Sequence, residues 1–479
     1  MTKITEKAAY RTLVSALKRQ KGGMTVADMT AKTALPLHSV QELIPRAADE
    51  YNARLEVSES GEILYSFPRG FTSRYRGFGP AFGRFSEKAA SAVKTFFTAA
   101  FKAWIMVMLV GYFVLFILIA LAAVLFAAAA SSSGKGRNRR SSGGLGNAYF
   151  LSRMLDLVFR FWFYRSLLNA GTYGRGYSQK RGDADERPLY KKVFSFVFGD
   201  GDPNKGWAEK EAVEVIGYIR KKNGVISLPE FVILSGLDIQ TAEREILSCC
   251  VKYGGMPEAT EDGTVVYRFD SLLPGSEKAP ARNTVSLKSP WKFSVNKDKT
   301  NTAFVLINFV NLGFGGYFLY CILNASALGA SSFFYLFRFV YSFLVTLGIV
   351  PFLPVFVALG IVPVLFSLFF WIVPVLRKAR IEKRNAAIGL ENRRKQGFAA
   401  VWDSPLAVTE DLFGNAGEAD RLIKEIGTYS VPDLRIDDRG KTVYSFRELD
   451  EEKKALEKYR GQADKNRAAL GAIVFDSDA

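Results

Sequence analysis

Histidine is almost missing from this sequence, since His38 is the single one in 479 residues. Histidine-based metal centres and the Ser-His or Cys-His pairs of most hydrolases need imidazole groups, so these classes of site are excluded. Cysteine is also scarce: Cys249, Cys250 and Cys321 form neither a disulfide framework nor a C-x-x-C ligand pair. We find no catalytic constellation and therefore expect no enzymatic activity, no cofactor and no metal.

Charge is nearly absent from residues 301–376, where Arg338 is the one ionisable Lys, Arg, Asp or Glu. A helix rises about 1.5 Å per residue and a bilayer core is roughly 30 Å thick, so about 20 apolar residues make one span. This block predicts two to three spans or half-spans. The first is Thr302–Leu323, and the remainder is interrupted near Pro351 and Pro354, where two segments are expected to meet.

A second apolar run predicts a transmembrane span over residues 103–130. We expect a basic linker over 69–102 before it, and a basic loop within 131–200 after it. That second region also contains an aromatic stretch, 149–168, which predicts either an interfacial helix or a membrane helix.

Three hairpin patterns share the spacing Gly-x-x-x-Tyr-x-Phe, beginning at Gly61, Gly263 and Gly440. Alternating polar and apolar residues around a glycine turn are typical of two-stranded hairpins. Helical periodicity precedes each one, including helices predicted over Leu406–Phe413 and Glu418–Thr428 before the third. The pattern indicates a triplicated module at 1–68, 201–275 and, with a basic first helix, 377–448. The remaining segments are a linker at 276–300 and a charged C-terminal helix and tail at 449–479.

Helices followed by a two-stranded wing resemble the winged helix-turn-helix fold. That resemblance implies a fold class of an α-helical membrane bundle plus three small α+β winged-helix-like modules. In DNA-binding members the third helix and the wing meet DNA and should be basic. Here residues 24–67, 224–270 and 402–448 carry net charges of −4, −5 and −4, although the whole chain is +17. Nucleic acid is therefore not expected as a partner.

Three charged residues are candidates for intramembrane function: Arg338, Arg160 and Asp156. The stretch that begins at Leu157 resembles the stretch that begins at Tyr335, and it places Arg160 at the position of Arg338. A charge within a span often marks function, and Asp156 is a potential partner for Arg338. The alternative is that Arg338 extends to the membrane interface. Asn308 and Asn311 are expected to form interhelical hydrogen bonds.

Topology follows from the basic run Arg377–Arg384, which directly follows the apolar block. By the positive-inside rule this end should be cytoplasmic, and three copies of one soluble fold most simply share one compartment. We therefore expect an integral protein of a bacterial cytoplasmic (inner) membrane with all three modules in the cytoplasm.

The preferred function is a multi-pass membrane scaffold or adaptor whose acidic modules bind protein partners. Two alternatives remain open: a membrane-tethered DNA-binding transcription regulator, and a transporter or channel subunit. Anionic lipid is expected to contact the juxtamembrane Lys and Arg residues, and a homo-oligomer is left open.

Overall fold

The computed structural model describes residues 6–19, 22–68, 78–132, 187–275, 285–324, 332–348, 356–413, 416–438, 440–462 and 470–477. Within these ranges the chain is mostly helical and contains three small three-stranded sheets. It divides into two compact units. The sheet unit contains Met1–Phe82, Pro203–Pro290 and Asn385–Ala479, and the apolar-helix unit contains Gly83–Asp202 and Trp291–Arg384.

The elements up to residue 132 are three helices, a hairpin and a long apolar helix with a π-helical turn. In chain order they are α1 (Glu6–Leu17), α2 (Val26–Thr33), α3 (Leu37–Tyr51), β1 (Arg54–Ser58), β2 (Ile63–Ser66), α4 (Phe78–Met106), the π turn π1 (Val107–Gly111) and α5 (Tyr112–Ser132). The expected basic linker over 69–102 stays a prediction, and its residues 78–102 are helical, as part of α4. The run Ser86–Thr98 holds neither proline nor glycine to interrupt a helix.

The middle of the chain repeats the order of helices and hairpin. Its elements are α6 (Leu189–Phe198), α7 (Trp207–Lys221), β3 (Val225–Ile226), α8 (Leu228–Ser235), α9 (Ile239–Tyr253), β4 (Met256–Ala259), β5 (Val265–Arg268) and a 3-10 turn (Asp270–Leu272). Helix α8 begins with a capping box, in which Ser227 is the N-cap and Glu230 is the acidic partner, and it ends at Gly236 in the left-handed conformation.

The last third of the chain begins with apolar helices and ends with a third hairpin. Its elements are α10 (Asp298–Leu323), a 3-10 turn (Ser332–Phe334), α11 (Tyr335–Thr346), the π turn π2 (Phe356–Ile361), α12 (Val362–Asp403), β6 (Val408–Thr409), a 3-10 turn (Glu410–Phe413), α13 (Ala416–Gly427), β7 (Asp433–Ile436), β8 (Thr442–Ser445), α14 (Arg447–Gln462) and β9 (Ile473–Asp476).

The three hairpins have the same register and the same turn. Leu55, Pro257 and Leu434 are opposite Tyr65, Tyr267 and Tyr444, respectively. Each turn is closed by the amide of Gly61, Gly263 or Gly440, which donates to a carbonyl three residues earlier at 2.9 Å. These glycines have φ of 82°, 81° and 75°, a left-handed conformation that favours glycine.

A short first strand pairs with the second hairpin strand at equivalent positions. Ile226 is opposite Tyr267 and Val408 is opposite Tyr444, which gives the sheet orders β3-β5-β4 and β6-β8-β7. In the first copy an isolated bridge joins Met24 to Tyr65. The N-cap residues Thr25 and Ser227 directly follow Met24 and Ile226.

One sequence prediction for the C-terminal third is wrong, and one segment forms a strand that was not predicted. The helix expected over Leu406–Phe413 is strand β6 and one 3-10 turn. The segment between the first strand and the third helix is shorter here than in the other two copies, which leaves room for a single turn. The apolar tail at 471–475 contains β9, a strand that pairs with β1 to give the order β2-β1-β9.

The cores follow the periodicity of the sequence. One core joins the second and third copies and includes Tyr267, Phe269 and Phe446, while a separate core in the first copy includes Tyr65. The tyrosine and phenylalanine of each hairpin therefore pack against a core, with Phe67 and Tyr444 partly buried.

Within the described ranges, three helices are long and apolar enough to cross a membrane: Ala92–Ala129, Asp298–Leu323 and Val357–Asp403. Helix α11 is a shorter apolar helix. The sequence predicted the span Thr302–Leu323, which α10 contains. The predicted meeting point at Pro351 and Pro354 lies outside the described residues.

In the apolar-helix unit, two glycines bring helices close together. A Cβ at Gly315 of α10 would lie 3.1 Å from Pro363, and one at Gly360 of π2 would lie 3.4 Å from the backbone of Leu319. Small residues at such crossings allow close backbone approach, which is the principal source of helix packing in an apolar medium.

Candidate functional site

The outward faces of the three third helices, α3, α9 and α13, carry no excess of positive charge. Their exposed charged residues are Glu42, Arg46 and Asp49 on α3, Glu243 and Arg244 on α9, and Asp420, Arg421 and Lys424 on α13. Two of the positive side chains form ion pairs: Arg46 with Glu6 at 3.3 Å and Lys424 with Asp420 at 2.9 Å. These faces offer little to a phosphate backbone.

Helix α9 and strand β4 instead expose an apolar surface, which we call the α9 patch: Leu247, Val251 and Met256. Their exposed fractions are 44%, 84% and 65%. The buried face of α9 packs into the core of the sheet unit and consists of Ala242, Ile246, Cys250 and Tyr253. Leu247 and Val251 are four residues apart on the opposite side, so they form a stripe directed away from the core.

The α9 patch has acidic residues beside it. Glu243 lies one turn before Leu247 and is exposed. Glu258, two residues after Met256 in β4, pairs with Arg268 at 3.0 Å. The pair of Glu245 with Lys252, at 3.6 Å, lies on the other flank of α9. An apolar centre with a charged rim is the common arrangement of protein-binding surfaces.

In the sheet unit, two buried ion pairs join elements that are far apart in sequence. Arg460 of α14 donates two hydrogen bonds to the carboxylate of Glu230, at 2.9 and 2.5 Å, and a third to the carbonyl of Val225. Arg220 of α7 donates to Asp28 at 2.8 Å. Each carboxylate also accepts from the backbone amide of its own N-cap residue, Ser227 or Thr25.

The positions of these two carboxylates are equivalent. Asp28 and Glu230 are both the third residue after an N-cap that follows the short first strand. Each carboxylate therefore stabilises the start of its own helix and forms an ion pair with an arginine from a later part of the chain. The capping-box pattern is visible in the sequence, but the arginine partner is not.

A third buried cation is Lys395 of α12, whose side chain is almost fully enclosed. Its Nζ is 2.9 Å from a carboxylate oxygen of Glu211 and 5.4 Å from the ring centroid of Trp207. The Lys and Arg residues of 377–395 were expected to lie on the surface. Lys395 does not, because it is buried in the core of the sheet unit.

Glu452 of α14 is a buried carboxylate with a phenol as its partner. Tyr429 donates to it at 2.9 Å. Burial raises the pKa of Glu452 to about 7, the hydrogen bond from Tyr429 opposes that rise, and the charge of Glu230 adds to it. This glutamate therefore titrates near neutral pH.

The vicinal cysteines are inert core residues. Burial raises the pKa of the Cys249 thiol to about 12 and that of Cys250 to about 11. A thiol with such a pKa holds almost no thiolate at neutral pH, so it is a poor nucleophile and a poor metal ligand. Among the described residues, no cluster of His, Cys, Asp and Glu has the arrangement of a metal site.

Arg338, the leading candidate of the sequence analysis, is partly buried on α11. Arg160 and Asp156 lie outside the described residues, so the predicted pairing of Arg338 with Asp156 stays a prediction. The two asparagines of α10 do form interhelical bonds. Asn308 donates to the carbonyl of Ser367 at 3.0 Å and Asn311 to the carbonyl of Leu109, in π1, at 2.7 Å.

Arg377, the first residue of the basic run, is held within the apolar-helix unit. It donates to the carbonyls of Phe293 at 2.6 Å and Phe196 at 2.7 Å. Since Phe196 is in the last turn of α6, the guanidinium neutralises the negative end of that helix. Lys378, Arg380 and Lys383 are exposed beyond it.

Comparison with known proteins gives one relative of note and no family. An uncharacterized chloroplastic protein of Arabidopsis thaliana is 25% identical over 406 residues, which cover 80% of this chain and 70% of the plant protein. No family model matches the sequence, and no solved structure matches it.

The expected location in a bacterial cytoplasmic membrane, with the modules in the cytoplasm, is wrong. The similarity to a chloroplastic plant protein points to a chloroplast instead. The positive-inside rule concerns which side of a membrane holds Lys and Arg residues, and it carries no information about which membrane that is.

Proposed function

We propose that this chain is a multi-pass membrane scaffold or adaptor of a chloroplast membrane that binds a protein partner through winged-helix-like modules. The α9 patch carries the proposal. In DNA-binding winged helices the third helix and the wing form the contact surface, and here that surface on the second module is apolar with acidic residues beside it.

The lipid-directed surfaces support membrane insertion. Large apolar side chains lie exposed along the three long helices, among them Phe96, Leu118, Phe309, Leu365 and Ile372. In water such a surface would favour aggregation, whereas in a bilayer it is solvated by acyl chains. The exposed Lys378, Arg380 and Lys383 suit the headgroups of anionic lipids.

The modular architecture supports three copies of one winged-helix-like fold. The equivalent registers at Tyr65, Tyr267 and Tyr444 and the three identical hairpin turns are the basis of this assignment. The buried pairs of Arg220 with Asp28 and Arg460 with Glu230 would hold the copies in one rigid body. A rigid body suits a scaffold, because a pre-formed surface loses little conformational entropy on binding.

The proposal is tested by Val251→Asp, which places a charge at the most exposed position of the α9 patch. The matched control is Leu412→Asp, at an exposed leucine in the 3-10 turn of the third copy. Each full-length protein is purified from membranes in mild detergent, and the co-purifying proteins are quantified. We expect a partner that the wild type and Leu412→Asp retain and that Val251→Asp loses at least tenfold. Equal recovery with both variants contradicts the proposal.

The tethered DNA-binding regulator is tested with the same purified protein. We expect no sequence-selective DNA binding at roughly 0.15 M salt, where specific DNA-binding proteins typically reach about 10 nM or better. Selective binding tighter than about 1 µM would replace the scaffold by the regulator.

A further inference from the structure

The first strands of the three hairpins, β1, β4 and β7, are equivalent by register, but their outer edges differ. In each sheet one side of this strand pairs with the second hairpin strand. The other side presents backbone N–H and C=O groups that can pair with another strand. Proteins usually protect such an edge, because it is a template for association.

Strand β1 is covered by the chain itself. Strand β9 pairs with it antiparallel, with Val57 opposite Phe475, and the carbonyl of Leu55 accepts from the amide of Ser477 at 2.9 Å. The backbone of Leu55 thus faces the outer edge. By the shared register, the backbone groups of Pro257 in β4 and Leu434 in β7 face the corresponding edges.

Strand β4 is protected by its sequence. Pro257 stands at the position of Leu55 and has no N–H to donate. The next residue, Glu258, is held by Arg268 at 3.0 Å and also accepts a hydrogen bond from Tyr459 of α14. A proline and a fixed charge are both known means of blocking an edge strand.

Strand β7 is less protected than β4: Pro432 lies just before the strand and not within it, and the ion pair of Asp433 with Arg447, at 2.8 Å, is more than half exposed. It is the last strand in the order β6-β8-β7, and all four of its residues are exposed. Leu434 and Ile436 have exposed fractions of 67% and 78%, and Val431 just before the strand has 76%. An exposed apolar edge of this kind is an expected site of strand addition.

We propose that β7 pairs antiparallel with β7 of a second copy of this chain, about a two-fold axis through Leu434. In this register Leu434 is opposite Leu434 of the second copy, and the two exchange both N–H···O bonds. Asp433, which pairs with Arg447 of its own copy, is also opposite Arg435 of the second copy, and the reverse pair is formed by symmetry. Ile436 is opposite Pro432, so apolar side chains meet, and the Ile436 N–H can donate to the Pro432 carbonyl, whereas Pro432 has no N–H to donate in return.

Charge complementarity selects this register over its neighbours. An axis at Arg435 would place Arg435 opposite its own copy and Asp433 opposite Asp437, and like charges directly opposite destabilise a sheet. An axis at Ile436 would pair Arg435 with Asp437 but would place the apolar Leu434 opposite Asp438. The Leu434 register is therefore the one that satisfies both the charged and the apolar residues.

Confinement in a membrane favours dimerisation through a contact of this size. Four residues per strand bury far less surface than the roughly 1,600 Å² of a standard interface between freely diffusing proteins. Two copies anchored in one bilayer meet at a raised effective concentration, which offsets part of that deficit. The inference rests on membrane insertion, as in the proposed function, and does not depend on the α9 patch.

The decisive variant is Leu434→Pro, which transfers the protection of β4 to β7. Its own sheet should tolerate the change, because proline occupies the equivalent position in β4 and the Leu434 N–H faces outward. Pro257→Leu is the matched control. Full-length proteins in nanodiscs are compared by mass photometry over a range of concentrations. We expect dimers for the wild type and Pro257→Leu, with the dissociation constant raised at least tenfold in Leu434→Pro. A monomeric wild type, or a dimer unchanged by Leu434→Pro, overturns the proposal.

Cross-linking tests the register. Opposed residues in such a pair have Cα atoms about 5.5 Å apart, which is within disulfide range. We expect Leu434→Cys to form a disulfide-linked dimer under mild oxidation and Ile436→Cys to do so much more slowly. Faster cross-linking of Ile436→Cys overturns the register. Extraction by alkaline carbonate without detergent would instead contradict membrane insertion, which distinguishes that failure from a failure of the dimer.

Discussion

Buried polar side chains are satisfied differently in the two units. In the sheet unit they include two pairs of opposite charge: Arg460 with Glu230, and Arg220 with Asp28. In the apolar-helix unit the fully buried polar side chains of α10 are the neutral amides of Asn308 and Asn311, and each donates to a backbone carbonyl of another segment.

The difference reflects the cost of burying charge. A buried ion pair is tolerated where the guanidinium binds the carboxylate with two hydrogen bonds and keeps some contact with water. Arg460 meets both conditions, since its side chain remains 11% exposed. The free energy of burying an ion is higher in hydrocarbon than in a protein core that borders water. Hydrogen bonds from neutral amides therefore join helices there at a lower free-energy cost. Breaking a buried pair should therefore cost much more than deleting a bridging amide.

The largest effect is expected for Arg460→Met, which leaves Glu230 buried without its cation. We expect the free energy of unfolding to fall by about 3 to 5 kcal/mol, as is typical when one partner of a buried pair is removed. Thermal unfolding of the full-length protein in detergent, with hydrogen exchange of α8 as the local readout, measures it. The control is Lys424→Met, which breaks an exposed pair with Asp420 and should cost less than about 1 kcal/mol. Similar losses in both variants would remove the contrast between buried and exposed pairs.

Glu452 is the informative exception in the sheet unit, because its hydrogen-bond partner is the phenol of Tyr429. The unfolded chain ionises this residue above an ordinary pKa of 4.5, whereas the folded chain keeps the proton until its pKa of about 7. Its contribution to stability is therefore fully present below pH 4.5 and is lost as pH rises through 7.

Glu452→Gln should remove this dependence. At pH 8 we expect the variant to be more stable than the wild type by about 2 kcal/mol, after allowance for partial exposure, and at pH 4.5 to be nearly equal to it. Thermal unfolding at the two pH values gives the comparison. Glu451→Gln, at an exposed neighbour, should show no such gain. A gain that is the same at both pH values would exclude titration of Glu452 as its cause.

The smallest effect is expected in the apolar-helix unit for Asn311→Ala, which removes the hydrogen bond to the Leu109 carbonyl in π1. Interhelical side-chain bonds in membranes average about 0.6 kcal/mol, so we expect a loss of about 1 kcal/mol or less. Unfolding in mixed micelles with increasing SDS measures it. Asn324→Ala, at the end of α10, is the control and should cost less. A loss as large as that of Arg460→Met would contradict the comparison between the units.

Local patterns predicted most elements of the fold. The hairpins were predicted from alternation around Gly61, Gly263 and Gly440, since a turn and two strands are encoded within about a dozen residues. The sequence failed where length or distance decides the outcome. The helix expected at Leu406–Phe413 lacks the room to form, and the tail at 471–475 becomes a strand because β1 offers an edge more than 400 residues away in sequence.

The candidate surface was only partly predictable. The net negative charge of the modules, and the absence of a basic third helix, could be counted from the sequence. The α9 patch could have been inferred from the spacing of Leu247 and Val251 opposite Ala242 and Ile246, but only once the orientation of α9 was known. Arg338 is partly buried as a residue of α11, and the structure describes no residue of its expected partner segment.

By itself, the sequence determined the apolar character of the three long helices, the three hairpins and the burial of their tyrosines and phenylalanines. These properties depend on residues within a few positions of one another, so periodicity and turn chemistry are sufficient to reveal them. Only the tertiary structure decided that Arg460 meets Glu230, 230 residues away, that β9 covers β1, and that no strand of the described residues pairs with the outer edge of β7. Contacts of that kind depend on the packing of the whole chain, because a local pattern states which face of an element is apolar and not which other element will meet it.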